Sequence, residues 1–196
     1  DPRIRYFVAP KVNIARGRNL AIERAIYPLI AVTDGGCRPE REWLEELIRP
    51  LLEDEAVGAV AGGLRIEAQT RFEFFSGLLT TANYPGREEK MLFYGRTSAF
   101  RKSVWEAADG YPEWLYTAED TLFALRARAL GCRIIYSARS VVSWRPRASP
   151  RKLAKQYFLY GRGTGRIARG DLRAALYHLR YHALWIATLL AGLAVP

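Results

Sequence analysis

The sequence has little cysteine, no internal repeat and no apolar run long enough to cross a bilayer. Its two cysteines, Cys37 and Cys132, have neither zinc-ligand nor redox spacing. They read as reduced, buried thiols in a reducing compartment. No pattern of charge, apolar run and small residues follows Asp1, so no signal peptide is read there. The longest uncharged stretch, ALWIATLLAGLAV at 183–195, falls short of the roughly 20 residues that a spanning helix needs. It reads either as the start of a transmembrane helix that continues past the sequence or as a C-terminal core helix.

Acidic charge is scarce in one region. Between 139 and 182 stand eleven Lys or Arg and one acid, Asp171, while the rest of the chain is neutral and the whole carries +10. A neutral domain is thus followed by a basic arm. Such an arm suits nucleic acid, an anionic membrane face or a phosphorylated ligand. The apolar run behind it favours the membrane, and the positive-inside rule then puts the main domain on the cytoplasmic side. Nucleic acid is not expected. A non-enzymatic basic module for anionic lipid or nucleic acid remains the competing reading.

What is present is ample core material: five Trp, eight Phe and eleven Tyr in 196 residues, enough for one well-filled core. Short β-like runs alternate with helical ones. Strands are expected at 4–9, 29–33, 57–62, 64–68, 97–101 and 132–137. Helices are expected at 15–27, about 39–52, roughly 71–84, 102–108, 118–130 and from Pro150 onward. LIAVT (29–33) is a continuous apolar run, as in a strand buried on both faces. Trp43, Leu44, Leu47, Ile48, Leu51 and Leu52 fall on one helical stripe. This alternation predicts an α/β domain with a mostly parallel sheet and flanking helices. Ligands in such sheets sit beyond the carboxyl ends of the strands, and Asp34 lies at one.

Three segments could carry chemistry. In TDGGC (33–37) a strand delivers Asp34 into a loop with Gly35 and Gly36, which let a ligand approach the backbone closely. A carboxylate there can hold a divalent cation, which neutralises a diphosphate. The same residues also make an ordinary strand-to-helix turn. In YTAED (116–120) Glu119 and Asp120 open a helix. They are either acids favoured by the helix dipole or a general base that takes a proton from a hydroxyl nucleophile. QYFLYGRGTGR (156–166) interleaves aromatic and basic residues after a helix rather than a strand, so it is no dinucleotide loop. It could bind a phosphate, stack on a ring, or lie in a membrane interface.

Taken in order, the segments resemble a family 2 glycosyltransferase of the GT-A (nucleotide-diphospho-sugar transferase) fold. The segment ARGRNLAIERA, with Arg18 and Asn19, resembles the helix before that family's metal strand. IAVTDGGCRPEREWLEEL resembles the DxD strand and the helix after it. GRTSAFRKSVWEAADGYPEWLYTAED resembles the acceptor-side block, and VVSWRPRASPRKLAKQYFLYGRG the segment leading to membrane-proximal helices.

The resemblance implies inverting transfer from a nucleotide-diphosphate sugar to an acceptor hydroxyl, with Mg or Mn as cofactor. It implies Asp34 as metal ligand and first DxD acid, and Asp120 as base with Glu119 beside it. Arg18, Asn19, Gly35 and Gly36 would contact the donor. Thr97, Ser98, Gln156, Tyr160 and Arg162 would serve acceptor binding and gating; Gln156 through Tyr160 sit where relatives carry QxxRW, and Arg162 would supply the charge that motif lacks here. The acceptor would be lipid-linked, a cell-envelope polysaccharide or another hydroxyl compound. Two departures stand out: Gly36 replaces the second DxD acid, and Leu159 and Tyr160 replace the Arg and Trp of QxxRW. A catalytically degenerate sugar-nucleotide binder is a further reading. The expected organisation is a partial GT-A domain at 1–148 that lacks the family's first strands, a basic helical arm at 149–182, and the start of a transmembrane helix at 183–196.

Overall fold

The computed structural model describes residues 3–81 and 92–169. The element order is α1 (Ile14–Glu23), β1 (Leu29–Thr33), β2 (Cys37–Pro39), α2 (Trp43–Glu53), β3 (Val57–Ile66), α3 (Arg71–Thr80), β4 (Thr97–Arg101), α4 (Lys102–Ala107), α5 (Glu119–Ala129), β5 (Arg133–Trp144) and α6 (Pro150–Ala168). One sheet carries the order β1-β4-β3-β5-β2. Helices flank it.

The sheet is mixed rather than mostly parallel. Among the described residues only β3 and β5 pair in parallel. The pairs β1–β4, β3–β4 and β2–β5 are antiparallel. Strands β1, β3 and β5 do run in one direction, but β4 returns between β1 and β3 and separates them. Short runs of apolar residues show that a strand is buried, not which neighbour it takes.

Four expectations for single elements are corrected. IRYFVA (4–9) is no strand; Ile4, Tyr6 and Val8 are exposed, and Phe7 is held between the guanidinium groups of Arg5 and Arg24. LIAVT forms β1, but among the described residues β1 is an edge strand, and its Ala31 and Thr33 are exposed. The two strands expected at 57–62 and 64–68 are one, β3, with a register shift at Gly62/Gly63. Both thiols are free but half-buried, not interior.

Each face of the sheet has its own core. On one, α2 lays Trp43, Leu47 and Leu51, with Ile48 partly buried, against Val57, Val60, Ala99 and Val142; Leu44 and Leu52 of the stripe read from the sequence are exposed instead. On the other, Phe93, Phe100, Tyr111 and Phe123 interlock, with Tyr111 and Phe123 centroids 4.6 Å apart. Burying each such ring contributes roughly 1.5–3 kcal/mol. This second core fixes α1 and α5 against the sheet and so positions the charged groups described next. Among the described residues no helix is long and apolar enough to cross a membrane; the run 183–195 lies outside them.

Candidate active site

The site forms where β1 ends and α5 begins. Asp34 is the first residue beyond β1. Asn13 caps α1 by accepting from the Arg16 N–H at 2.9 Å, and the next turn carries Arg18 inward. Arg18 bridges two carboxylates far apart in sequence: Nη2 donates to Asp34 at 2.7 Å and Nη1 to Glu119 at 2.8 Å. Its guanidinium also lies 5.3 Å from the Tyr111 ring centroid. Asp120 is held by two backbone donors and, more loosely, by the Thr121 hydroxyl, 3.5 Å from Oδ1. The Gly95 N–H reaches Oδ2 at 3.0 Å and the Thr121 N–H reaches Oδ1 at 2.7 Å.

Two backbone features make this packing possible. A Cβ at position 95 would meet the Arg18 guanidinium and displace it from its place between Asp34 and Glu119, so glycine leaves room for that pairing. Ala118, just before Glu119, sits at φ 64°, ψ 16°. For a residue with a Cβ that conformation costs about 1–2 kcal/mol. Strain of this kind collects where the surrounding structure dictates the backbone. Here α6 presses on the preceding turn: a Cβ on Gly163 would strike Thr117, and the Thr117 hydroxyl donates to the Leu159 carbonyl at 2.6 Å.

The electrostatics follow from three acids around one cation. Burial pushes the Glu119 carboxyl above its ordinary value, and neighbouring Asp120 pushes it further; Arg18 opposes both. Burial alone would lower the Arg18 pKa, but Tyr111, Asp120, Asp34 and Glu119 outweigh it and raise it. Tyr111 is raised well above the usual phenol range, chiefly by burial. These neutral-prone and charge-prone groups lie side by side, the arrangement expected where proton transfer is tuned.

The other sequence-predicted residues divide. Asn19 is buried one position from Arg18 and has a different task from donor contact. Its amide donates to the Tyr111 carbonyl and to Glu113, and its oxygen accepts from Trp105 Nε1 and the Tyr111 N–H. It clamps the Gly110–Tyr111 turn and has little capacity left for a ligand. Gly35 and Gly36 form an exposed turn beside Asp34.

Thr97 and Ser98 are interior residues of β4, which removes them from acceptor contact. Thr97 accepts from Trp43 Nε1 at 2.9 Å, and the Ser98 hydroxyl is buried without a hydrogen-bond partner among the described residues. Gln156 and Tyr160 do act together: Gln156 accepts from Arg147 at 2.8 Å and donates to Tyr160 at 2.9 Å. The cation that reaches Tyr160 is Arg96, at 3.3 Å, not Arg162, which is exposed on α6. Arg96 stacks 4.1 Å over Trp144, and its carbonyl accepts from the Thr33 hydroxyl at the end of β1. The network therefore ties α6 to the strand that delivers Asp34.

Sequence reasoning missed Gly95, Arg96, Ala118 and Gly163. The first two stand at the head of the GRTSAFR segment, which was the available signal. Nothing local marks the others.

A divalent cation would find the half-exposed carboxylate of Asp34 here, beside its pairing with Arg18. Among the described residues no group of three His, Cys, Asp or Glu could hold a metal alone. One carboxylate completed by substrate phosphates and water is an ordinary Mg²⁺ environment, so the residues fit a metal that arrives with a diphosphate.

The model of glycosyl transferase family 2 matches residues 1–107, more than half the chain. The chain belongs to glycosyl transferase family 2. Its fold is GT-A. The mannosyltransferase PcManGT from Pyrobaculum calidifontis, in complex with GDP-Man and Mn2+, is 22% identical with a TM-score of 0.57, over 81% of this chain and 43% of that one. S. aureus TarS 1–349 in complex with UDP-GlcNAc is 16% identical with a TM-score of 0.51, over 70% and 40%. GalNAc-T7 with UDP, GalNAc and Mn2+ is 14% identical with a TM-score of 0.50, over 67% and 30%. The chain thus spans less than half the length of each. No curated protein matches significantly.

Proposed function

We propose that this family 2 chain is the catalytic part of a glycosyltransferase that moves a sugar, with inversion, from a nucleotide-diphosphate donor to an acceptor hydroxyl. The observation that carries the reading is the convergence of Asp34, Glu119 and Asp120 around Arg18, where β1 ends and α5 begins. The acceptor oxygen attacks the anomeric carbon, the bond to the diphosphate breaks, and the acceptor proton passes to a carboxylate. Asp120 is that base. Glu119 is committed to Arg18, whereas Asp120 Oδ2 accepts from the Gly95 N–H and retains a further lone pair. The Gly95 and Thr121 N–H groups fix the carboxylate's direction. Glu119 and Arg18 are positioning residues that hold Asp34 and α5 together.

Asp34 would hold Mg or Mn jointly with the donor. When bound, the metal neutralises charge on the departing diphosphate. Gly35 and Gly36 leave room for a diphosphate beside it. That the structural relatives were solved with GDP-Man or UDP-GlcNAc is consistent with a nucleotide-sugar donor. The setting we propose is the cytoplasmic face of a membrane, with a lipid-linked, polysaccharide or other hydroxyl acceptor. The absence of a second acid at Gly36 favours one alternative, a relative that binds the donor without turnover.

The test is Asp120→Asn. Transfer should fall by about two to four orders of magnitude, with donor affinity by calorimetry unchanged. Near-normal turnover would remove Asp120 as base; no product from the unaltered full-length protein would favour the binding-only alternative. Asp34→Ala should weaken donor binding in the presence of manganese and leave it little changed in its absence.

A further inference from the structure

Helix α6 has two faces that the site accounts for unequally. Gln156, Gly163 and Ile167 face the domain. The opposite face repeats every three to four residues as Arg151, Lys155, Phe158, Arg162, Gly165 and Arg169, all exposed, a spacing that lines one side of a helix. No acid stands between Pro150 and Arg169. Phe158, in the middle of the cationic stripe, is 66% exposed. Neither the carboxylate cluster nor the Gln156–Tyr160 network uses this side.

An apolar ridge adjoins it. Helix α3 turns Glu73, Ser76 and Gly77 inward and leaves Phe74, Phe75, Leu78 and Leu79 exposed, Phe75 by 62%. Gly77 lies directly against Pro146 and Ile66, where a Cβ would meet side chains at 2.8–2.9 Å, so α3 sits close on the segment that leads into α6. At its far end the Tyr157 hydroxyl donates to the Leu79 carbonyl at 3.2 Å. Tyr157 precedes Phe158, so the apolar end of α3 borders the middle of α6. An exposed aromatic ridge beside a helix bearing only positive charge has the composition of a surface that lies on a bilayer: rings enter the headgroup boundary while Lys and Arg meet anionic lipid.

We propose that the α3 ridge and the outer face of α6 together form a docking surface for an anionic lipid bilayer. This deepens the membrane setting proposed above and is independent of the transfer chemistry. The complementarity decides the occupant. A protein partner suited to the ridge alone would leave the cationic stripe unexplained, and a nucleic acid suited to the stripe would leave four large apolar side chains in water. Because α6 also contacts Thr117 and, through Tyr160, Arg96, docking would place the membrane one helix away from the turn that carries the carboxylates.

The experiment uses the full chain with vesicles of phosphatidylcholine, alone or mixed with phosphatidylglycerol. The readout is the preference for anionic over neutral vesicles, which cancels any contribution from the apolar run at 183–195. The preference should be marked at low salt and should fall as salt rises. Lys155→Glu with Arg162→Glu should reduce it at least about tenfold, and the milder pair Lys155→Gln with Arg162→Gln should reduce it less. Phe75→Ser with Leu78→Ser should weaken binding to anionic vesicles while preserving the salt dependence. No preference for anionic vesicles, a preference untouched by charge reversal, or stronger retention of RNA than of vesicles would overturn the proposal. Donor affinity should be unchanged in every variant, so that loss of docking is distinguishable from loss of the transfer reading.

Discussion

Glu73 and Glu119 are both buried glutamates paired with an arginine, yet they titrate in opposite directions. Glu73 accepts from Arg145 Nη2 at 2.8 Å and Nε at 3.1 Å and from the Gln69 N–H at 2.6 Å. Its own N–H is capped by Thr70. Arg145 first, then the Gln69 N–H, hold its carboxyl below the ordinary value. Glu119 shares its arginine with Asp34, lies beside Asp120, and is held above the ordinary value by burial and that neighbour. The first acid has all the positive charge and donors it needs. The second competes for one cation with two other acids. Like charges gathered around too little compensation raise energy without helping the fold, which sets the candidate site apart from the Glu73–Arg145 ion pair.

The largest expected effect on transfer within this comparison comes from Glu119→Gln. It should lower turnover by about ten- to a hundredfold by freeing Arg18 and misplacing α5, with Asp120 still present. Stability should move the other way, and its pH dependence gives the sign. A carboxyl raised in the folded state contributes stability that is fully present below the unfolded value of about 4.5 and lost as pH rises through the folded one. Glu119→Gln should therefore gain most near neutral pH. Glu73 is the reverse case: its contribution is present above about 4.5 and lost as pH falls through its lower folded value. Glu73→Gln should lower the urea midpoint at neutral pH and have less effect in acid, with turnover nearly preserved. Urea titrations of both variants near pH 7 and pH 4, with turnover measured alongside, check all four outcomes. Matching pH profiles would break the comparison.

A smaller effect is expected from Gly163→Ala. The added Cβ would meet the Thr117 backbone and push α6 away from the turn before Glu119. Turnover should fall by about tenfold, while Gly165→Ala, with open space around it, should be neutral. Equal losses in both would mean that α6 does not position α5.

Much of this architecture was legible in the sequence. The stripe from Trp43 to Leu52 announces α2, the TSAFR run announces β4, and Asp34 at a strand end and Asp120 at a helix start are candidates legible from the chain alone. Burial, capping and local turns leave traces in neighbouring residues, so these elements could be read. Contacts between distant residues leave none. Arg18 meets Glu119 from 101 positions away, and nothing near either predicts it. The insertion of β4 between β1 and β3 depends on how the whole chain folds back, which is why the sheet was read as more parallel than it is. The resemblance of the GRTSAFR segment to an acceptor-side block points to Thr97 and Ser98 as acceptor residues, but their small size serves a strand packed tightly under Trp43.

The smallest expected effect concerns Ala118. Its left-handed backbone costs about 1–2 kcal/mol, which glycine would relieve, while glycine's freedom in the unfolded chain costs back about 0.4–1 kcal/mol. Ala118→Gly should therefore stabilise the fold by no more than about 1.6 kcal/mol, measurable as a small rise in the urea midpoint. If the strain serves only the fold, turnover should follow stability or stay level. If it fixes the direction in which Glu119 and Asp120 leave the turn, the freed backbone should lower turnover by a few-fold while stability rises. Opposite movement in the two measurements would place Ala118 with Glu119 rather than with Glu73: a position whose local cost persists because the carboxylates beside it must point one way.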